Sequence, residues 1–129
     1  MAAPLLFSII ESPSHPDLSA LYRRLGIREV QFKAMRKAMS ELKTQGPDFV
    51  VAEFFYGYAN NYAGVNISNL DVFLFSLQKY APRAKVIVLV DKKERQYVDP
   101  LNKIFPLHAV LQQPVKPSEI EVLLITDTR

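Results

Sequence analysis

Two glutamates stand where chemistry can be expected. The run Pro47-Asp48-Phe49-Val50-Val51-Ala52 is largely apolar and delivers Glu53 at its end, and Leu6-Phe7-Ser8-Ile9-Ile10 does the same for Glu11. In open parallel α/β sheets, ligands and reacting groups gather in the crevice outside the carboxyl ends of the strands. Carboxylates at neighbouring strand ends would raise one another's pKa or attract a cation. For Glu53 a plainer role competes, that of a strand-end side chain whose oxygens are satisfied by backbone amides. The other candidates are weaker. Ser8, Ser12 and Ser14 are possible nucleophiles, but none lies in a Gly-x-Ser-x-Gly elbow and no base is evident. His15 and His108 are the only imidazoles and fall toward opposite ends of the sheet inferred below, which argues against a shared metal or catalytic pair. The absence of cysteine removes disulfides, thiolate catalysis and Cys-ligated zinc. Only 4 glycines are present and none clusters after the first strand, so a glycine-rich phosphate cradle is missing. No catalytic residue, metal site or cofactor is expected.

The elements that would position these residues follow from periodicity. Pro4 to Ile10 is almost continuously apolar, as a strand buried on both faces should be, and Glu11-Ser12-Pro13 ends it. Ser14 to Asp17 offers a capping serine and an early proline, and Leu18, Leu21, Tyr22 and Leu25 recur at helical spacing until Gly26. Arg28 to Lys33 alternates like an edge strand, and Met35, Ala38, Met39 and Leu42 mark a second helix closing near Gly46. After the Phe49 to Phe54 strand comes an aperiodic stretch with Gly57 and Gly64, read as a long loop. Ser68 or Asn69 would cap a third helix through Leu70, Phe73, Leu74, Leu77 and Tyr80, ended by Ala81-Pro82. Lys85 to Val90 reads as a central strand, and Tyr97, Leu101 and Ile104 as a fourth helix interrupted by Pro100. His108 to Gln112 is a fifth strand, and a last helix starts at Ser118 or Lys116-Pro117 and runs through Ile120, Val122, Leu123 and Leu124.

Alternation of five strands with five helical segments predicts an α/β three-layer sandwich of the flavodoxin-like class. Its sheet would be five-stranded and parallel in the order 2-1-3-4-5, with alternating strand two at an edge. The 129 residues, 49% hydrophobic and 22% charged, fit one domain over 1–129. Nothing approaches the ~20 apolar residues that span a bilayer, and no signal peptide precedes the first strand, so a cytoplasmic protein is expected without a membrane partner. The net charge of +3 is dispersed, and the pairs Arg23-Arg24, Arg36-Lys37 and Lys92-Lys93 read as solvated faces rather than a nucleic-acid footprint.

In order and spacing these pieces resemble the receiver domains of bacterial response regulators, the CheY-like superfamily. The resemblance spans essentially the whole chain. It is carried by Leu6 to Glu11, Ala38 to Glu53, Ala84 to Val90, and Val110-Leu111-Gln112-Gln113-Pro114-Val115-Lys116-Pro117. It implies a module in which an aspartate at the tip of strand three accepts a phosphoryl group from a histidine kinase. Two acids after strand one help to hold Mg²⁺, a Ser or Thr ends strand four, and a lysine precedes a proline after strand five. Position by position the chain departs from that set. Glu53 replaces the acceptor, Glu11 matches the first acid, Ser12 replaces the second, Val90 takes the hydroxyl position and Gln113 the lysine position. Two glutamates and a serine make a weaker Mg²⁺ set than three aspartates, and loss of the lysine removes charge neutralisation from phosphoryl transfer. Asp91 and Lys116 are the nearest substitutes.

The expected function is therefore that of a degenerate pseudo-receiver, a non-enzymatic interaction module in signal transduction or regulation that binds a protein partner or a second copy of itself. Receiver domains commonly use the surface of helix four, strand five and helix five for this, which here carries Tyr97 and Leu101. The loop over 54–67 is a second candidate surface, because Tyr56, Tyr58 and Tyr62 are the amphipathic aromatics that interfaces favour. Because the chain ends at Arg129 without an output domain, its effect is expected to pass through a separate protein or a longer parent chain. The alternative is a divergent Mg²⁺-dependent phosphoacceptor using Glu53 or a nearby acid. A flavin- or nucleotide-binding domain is a third reading, disfavoured by the two prolines and the acid in Glu11 to Asp17, where a phosphate loop needs free amides.

Overall fold

The computed structural model describes residues 3–12, 17–56 and 68–126. Strand β1 (Leu5–Ile9) is followed by α1 (Ser19–Arg24), β2 (Arg28–Phe32), α2 (Met35–Leu42), β3 (Phe49–Glu53), α3 (Asp71–Tyr80), β4 (Lys85–Val90), β5 (Ala109–Gln112) and α4 (Pro117–Thr126). All neighbouring strand pairs are parallel, and the sheet order is β2-β1-β3-β4-β5. This is the sandwich anticipated from periodicity. The continuously apolar β1 and β3 are buried at every residue, and β4 at every residue after Lys85. The outer strands β2 and β5 are half-exposed, as sheet edges should be.

Strand alternation sends side chains to two separate cores. Phe7, Val50, Ala52 and Val88 pack beneath α2 and α3 with Ala38, Leu42, Phe73 and Leu77. Leu6, Phe49, Val51, Ile87 and Leu89 pack beneath α1 and α4 with Leu21, Tyr22, Ile120 and Leu124. Helix α1 ends where Gly26 takes a φ of 76°. There the Gly26 N–H donates to Arg23 O and the Ile27 N–H to Tyr22 O, the paired bonds that close a helix at a left-handed residue.

Several expectations need correction. The fourth helix is two 3₁₀ segments, Lys92–Tyr97 and Asp99–Lys103. Pro100 has no N–H to offer an α-helical ladder, and tighter turns accommodate it. Leu101, expected on a partner surface, has 0% exposure and packs in the core with Val98 and Phe105. Burying it is worth about 1.5–3 kcal/mol, and that holds this irregular segment against the sheet. The helical start of α3 is also more elaborate than a single cap. Leu70 occupies the cap position without a side-chain bond, while Ser68 Oγ accepts from Leu70 N–H and Asp71 Oδ1 accepts from the Ser68 N–H and hydroxyl. The proposed cap Ser14, with His15 and Pro16, lies outside the described residues, as do Tyr58 and Tyr62.

Candidate functional site

Alternation along β3 decides where Glu53 points. Phe49 and Val51 face the α1/α4 core, and Glu53, two residues further on, falls on the same side at the carboxyl end of the strand. The connections that leave β1 and β5 for α1 and α4 must cross to that side, so Glu11, Ser12 and Gln113 converge on it. Glu53 is only 2% exposed. Its Oε1 accepts from the Glu11 N–H at 2.8 Å and the Ser12 N–H at 2.9 Å. Its Oε2 accepts from the Gln113 carboxamide at 3.3 Å. Gln113 is held in turn by its own N–H, which donates to Val90 O at 2.8 Å, and the Gln113-Pro114 peptide is cis.

The buried carboxylate is thus bound by three neutral donors. Hydrogen bonds from N–H groups to an ionised oxygen are shorter and stronger than neutral ones and satisfy a carboxylate that burial would otherwise penalise. Glu11 experiences the consequence. Partial burial, and then the Glu53 charge facing it, push its pKa above the ordinary carboxylate value.

Four of the five candidate pocket residues meet here: Glu11, Ser12, Glu53 and Gln113. Val90 does not join them. Its side chain has 0% exposure and packs in the α2/α3 core, and its contribution to the pocket is the carbonyl that receives Gln113. The physical reason is the two-residue period, which turns consecutive residues of β4 to opposite faces. Asp91 is exposed and accepts from Lys93 N–H at 2.9 Å, so it caps the first 3₁₀ segment instead of supplying a third carboxylate. Lys116 is exposed at the head of α4, where its N–H donates to Glu119 Oε1.

Sequence reasoning missed the role of Asn69, offered there only as an alternative to Ser68 for the helix cap. Its Nδ2 donates to Glu53 O at 2.9 Å while its Oδ1 accepts from Phe55 N–H at 2.7 Å. A carboxamide carries both a donor and an acceptor and can substitute for a peptide group of a neighbouring strand. Asn69 therefore fixes the backbone on both sides of Phe54, and an antiparallel bridge between Tyr56 and Ser68 closes the neck of the connection beside it. An asparagine close before a helix signals a cap, and nothing in its sequence neighbourhood distinguishes this longer reach. Tyr56, 48% exposed, stacks on Tyr97 at 3.7 Å between ring centroids and 16° between planes. Its N–H donates to Glu94 Oε1 at 3.0 Å. The two aromatics expected on separate partner surfaces are a single stacked pair bridging the end of β3 and the first 3₁₀ segment.

Comparison of the whole structure places the architecture. A response regulator protein from Burkholderia multivorans superposes with a TM-score of 0.72 at 13% identity, covering 98% of this chain and 96% of that one. The receiver domain of the Francisella response regulator 1452 gives 0.70 at 15% identity, with 98% and 99% covered. This chain has the receiver-domain fold. A response regulator from Thermotoga maritima matches equally well, with a TM-score of 0.72 at 13% identity over 96% of both chains. No family model matches the sequence, and no curated protein does.

The receiver fold normally implies a Mg²⁺ ion beside the acceptor, and the residues present do not fit one. Mg²⁺ requires nearly octahedral oxygen coordination at short distances. Both Glu53 oxygens instead face N–H donors, Ser12 stands where a second acid is required, and no cluster of three or more potential ligands occurs among the described residues.

Proposed function

We propose that this chain is a receiver-fold signalling module that takes no phosphoryl group and acts by binding a protein. The observation that carries this reading is the Glu53 carboxylate bonded to Glu11 N–H, Ser12 N–H and Gln113. A phosphoryl acceptor needs an oxygen free for in-line attack and cations to neutralise the developing charge. Here the acceptor-position oxygens are engaged, and a neutral carboxamide stands at the lysine position. The same bonds tie the ends of β1, β3 and β5 into one arrangement, so the module presents a single surface rather than one switched by modification. Tyr56, exposed at the rim of this edge, and the half-buried Tyr97 stacked on it are the proposed contact residues of that region; Leu101 is excluded by its burial.

The test is addition of Mg²⁺ and beryllofluoride, a phosphoryl mimic, to ¹⁵N-labelled protein. The amide resonances of Glu11, Glu53 and Val90 are expected to stay in place. Saturable movement of these three would establish the divergent phosphoacceptor and end the reading.

A further inference from the structure

Helix α3 is apolar on two sides. Phe73, Leu74 and Leu77 are buried in the core, yet Val72, Phe75 and Tyr80 on the outer face are 46%, 56% and 38% exposed. Together with Ser76 and Lys79 they form one stripe at helical spacing. Across from it, α2 contributes Met35 and Met39, and the two helices border an open groove of about 740 Å³. Its remaining lining includes Arg36, Lys43 and Lys79, with no acidic residue among the described residues. Arg36, Ser40 and Lys43 follow one face of α2, and the Lys79 ammonium lies 5.3 Å from the Tyr80 ring centroid.

We infer that the α2/α3 groove is a docking site for an acidic amphipathic helix of a partner protein. A concave trough between two helices matches a cylinder laid along it, the mode in which apolar anchors at i, i+3, i+4 and i+7 enter a groove. The 10 residues of α3 offer about 15 Å of length, enough for about three turns of the partner. Methionines adapt to different apolar anchors. The basic rim selects acids on the flanks of that helix and steers its approach. A bilayer surface would call for a convex apolar ridge and does not fit a trough. The groove lies on the face of the sheet opposite Glu53, so docking here needs no event in the acceptor pocket. This inference rests on the reading of the chain as a binding module.

The probe is a synthetic 18-residue helix with Leu and Phe along one face and Glu on the others, titrated into ¹⁵N-labelled protein. Controls are a sequence-scrambled peptide and one with Lys in place of Glu. Shifts are expected at Met35, Met39, Val72 and Phe75, with neither control binding. Phe75→Ser, which alters an exposed side chain, should weaken binding at least tenfold, as should the pair Lys43→Glu and Lys79→Glu, with circular dichroism of each variant unchanged. Equal binding of the scrambled or basic peptide, or shifts confined to other faces, would overturn the inference. So would Phe75-dependent sedimentation with phosphatidylserine vesicles without peptide binding, which assigns the face to membranes. Self-association abolished by Phe75→Ser, again without peptide binding, would assign it to a second copy. Failure of the peptide alongside a spectrum silent to beryllofluoride removes the groove and leaves the module reading standing.

Discussion

Shortening Glu53 by one carbon tests the internal closure of the pocket directly. In Glu53→Asp the carboxylate withdraws by about 1.5 Å, the length of a C–C bond. Contacts of 2.8 and 2.9 Å to the Glu11 and Ser12 amides then stretch to about 4 Å, beyond hydrogen-bond range. Each bond to a charged acceptor contributes about 1.5–3 kcal/mol. Glu11 and Ser12 are partly exposed and can regain water, so the lower bound applies to both, giving a loss of about 3 kcal/mol. That is at the top of the ordinary range for point substitutions. With a urea m-value of about 2 kcal/mol/M, the unfolding midpoint should fall by about 1.5 M. Amide exchange at Glu11 and Ser12 should accelerate by more than tenfold while β4 amides keep their relative protection. A midpoint shift under 0.3 M, with exchange at both amides unchanged, would refute the premise that Glu53 organises this edge. The variant should also remain silent to Mg²⁺ and beryllofluoride, because Gln113 still supplies no cation.

Other consequences can be measured on the same protein. Asn69→Ala removes the bonds to Glu53 O and Phe55 N–H and should cost about 2 kcal/mol in urea unfolding; a loss below 0.5 kcal/mol would mean that water replaces the side chain. Glu11 has a folded-state pKa raised above 4.5, so the native state binds more protons than the unfolded state just above that pH. Its contribution therefore declines as pH rises from about 4.5 through the raised value, and Glu11→Gln should be relatively more stable at pH 7 than at pH 3; a pH-independent difference would contradict this sign. The Tyr22 hydroxyl is buried, has no hydrogen-bond partner among the described residues, and has its pKa pushed up by burial and then by Glu29. Tyr22→Phe should accordingly raise the melting temperature by about 3 °C, corresponding to about 1 kcal/mol, and a lowered melting temperature would reveal a partner for the hydroxyl. Leu101→Ala should destabilise by about 2–5 kcal/mol, whereas an exposed contact residue would change stability by less than 0.5 kcal/mol.

The local signals in this chain concern chain direction and burial. Continuous apolarity marked β1, β3 and β4 as interior strands, alternation marked β2 as an edge, and helical spacing marked α2 and α3, because each pattern reports how many faces of an element meet other elements. The same logic placed Glu53 and Glu11 at strand ends, the family resemblance singled out Gln113, and the convergence of those ends is a property of any parallel sheet with this order. Tertiary structure alone decided what the ends do there. Whether the Glu53 oxygens meet a metal, a cation or amides depends on the path of the chain between Ile9 and Ser12, to within tenths of an ångström, and residue type does not specify that path. Val90 shows the same limit, since its alignment position suggested the pocket while strand alternation turned its side chain into the opposite core. Asn69 looked like a cap and became a bridge because the folded chain brought β3 within reach of its carboxamide. Leu101, beside a helix-breaking proline, was expected on a partner surface, and the fold buries it instead because an apolar side chain next to a sheet is more stable covered than wet.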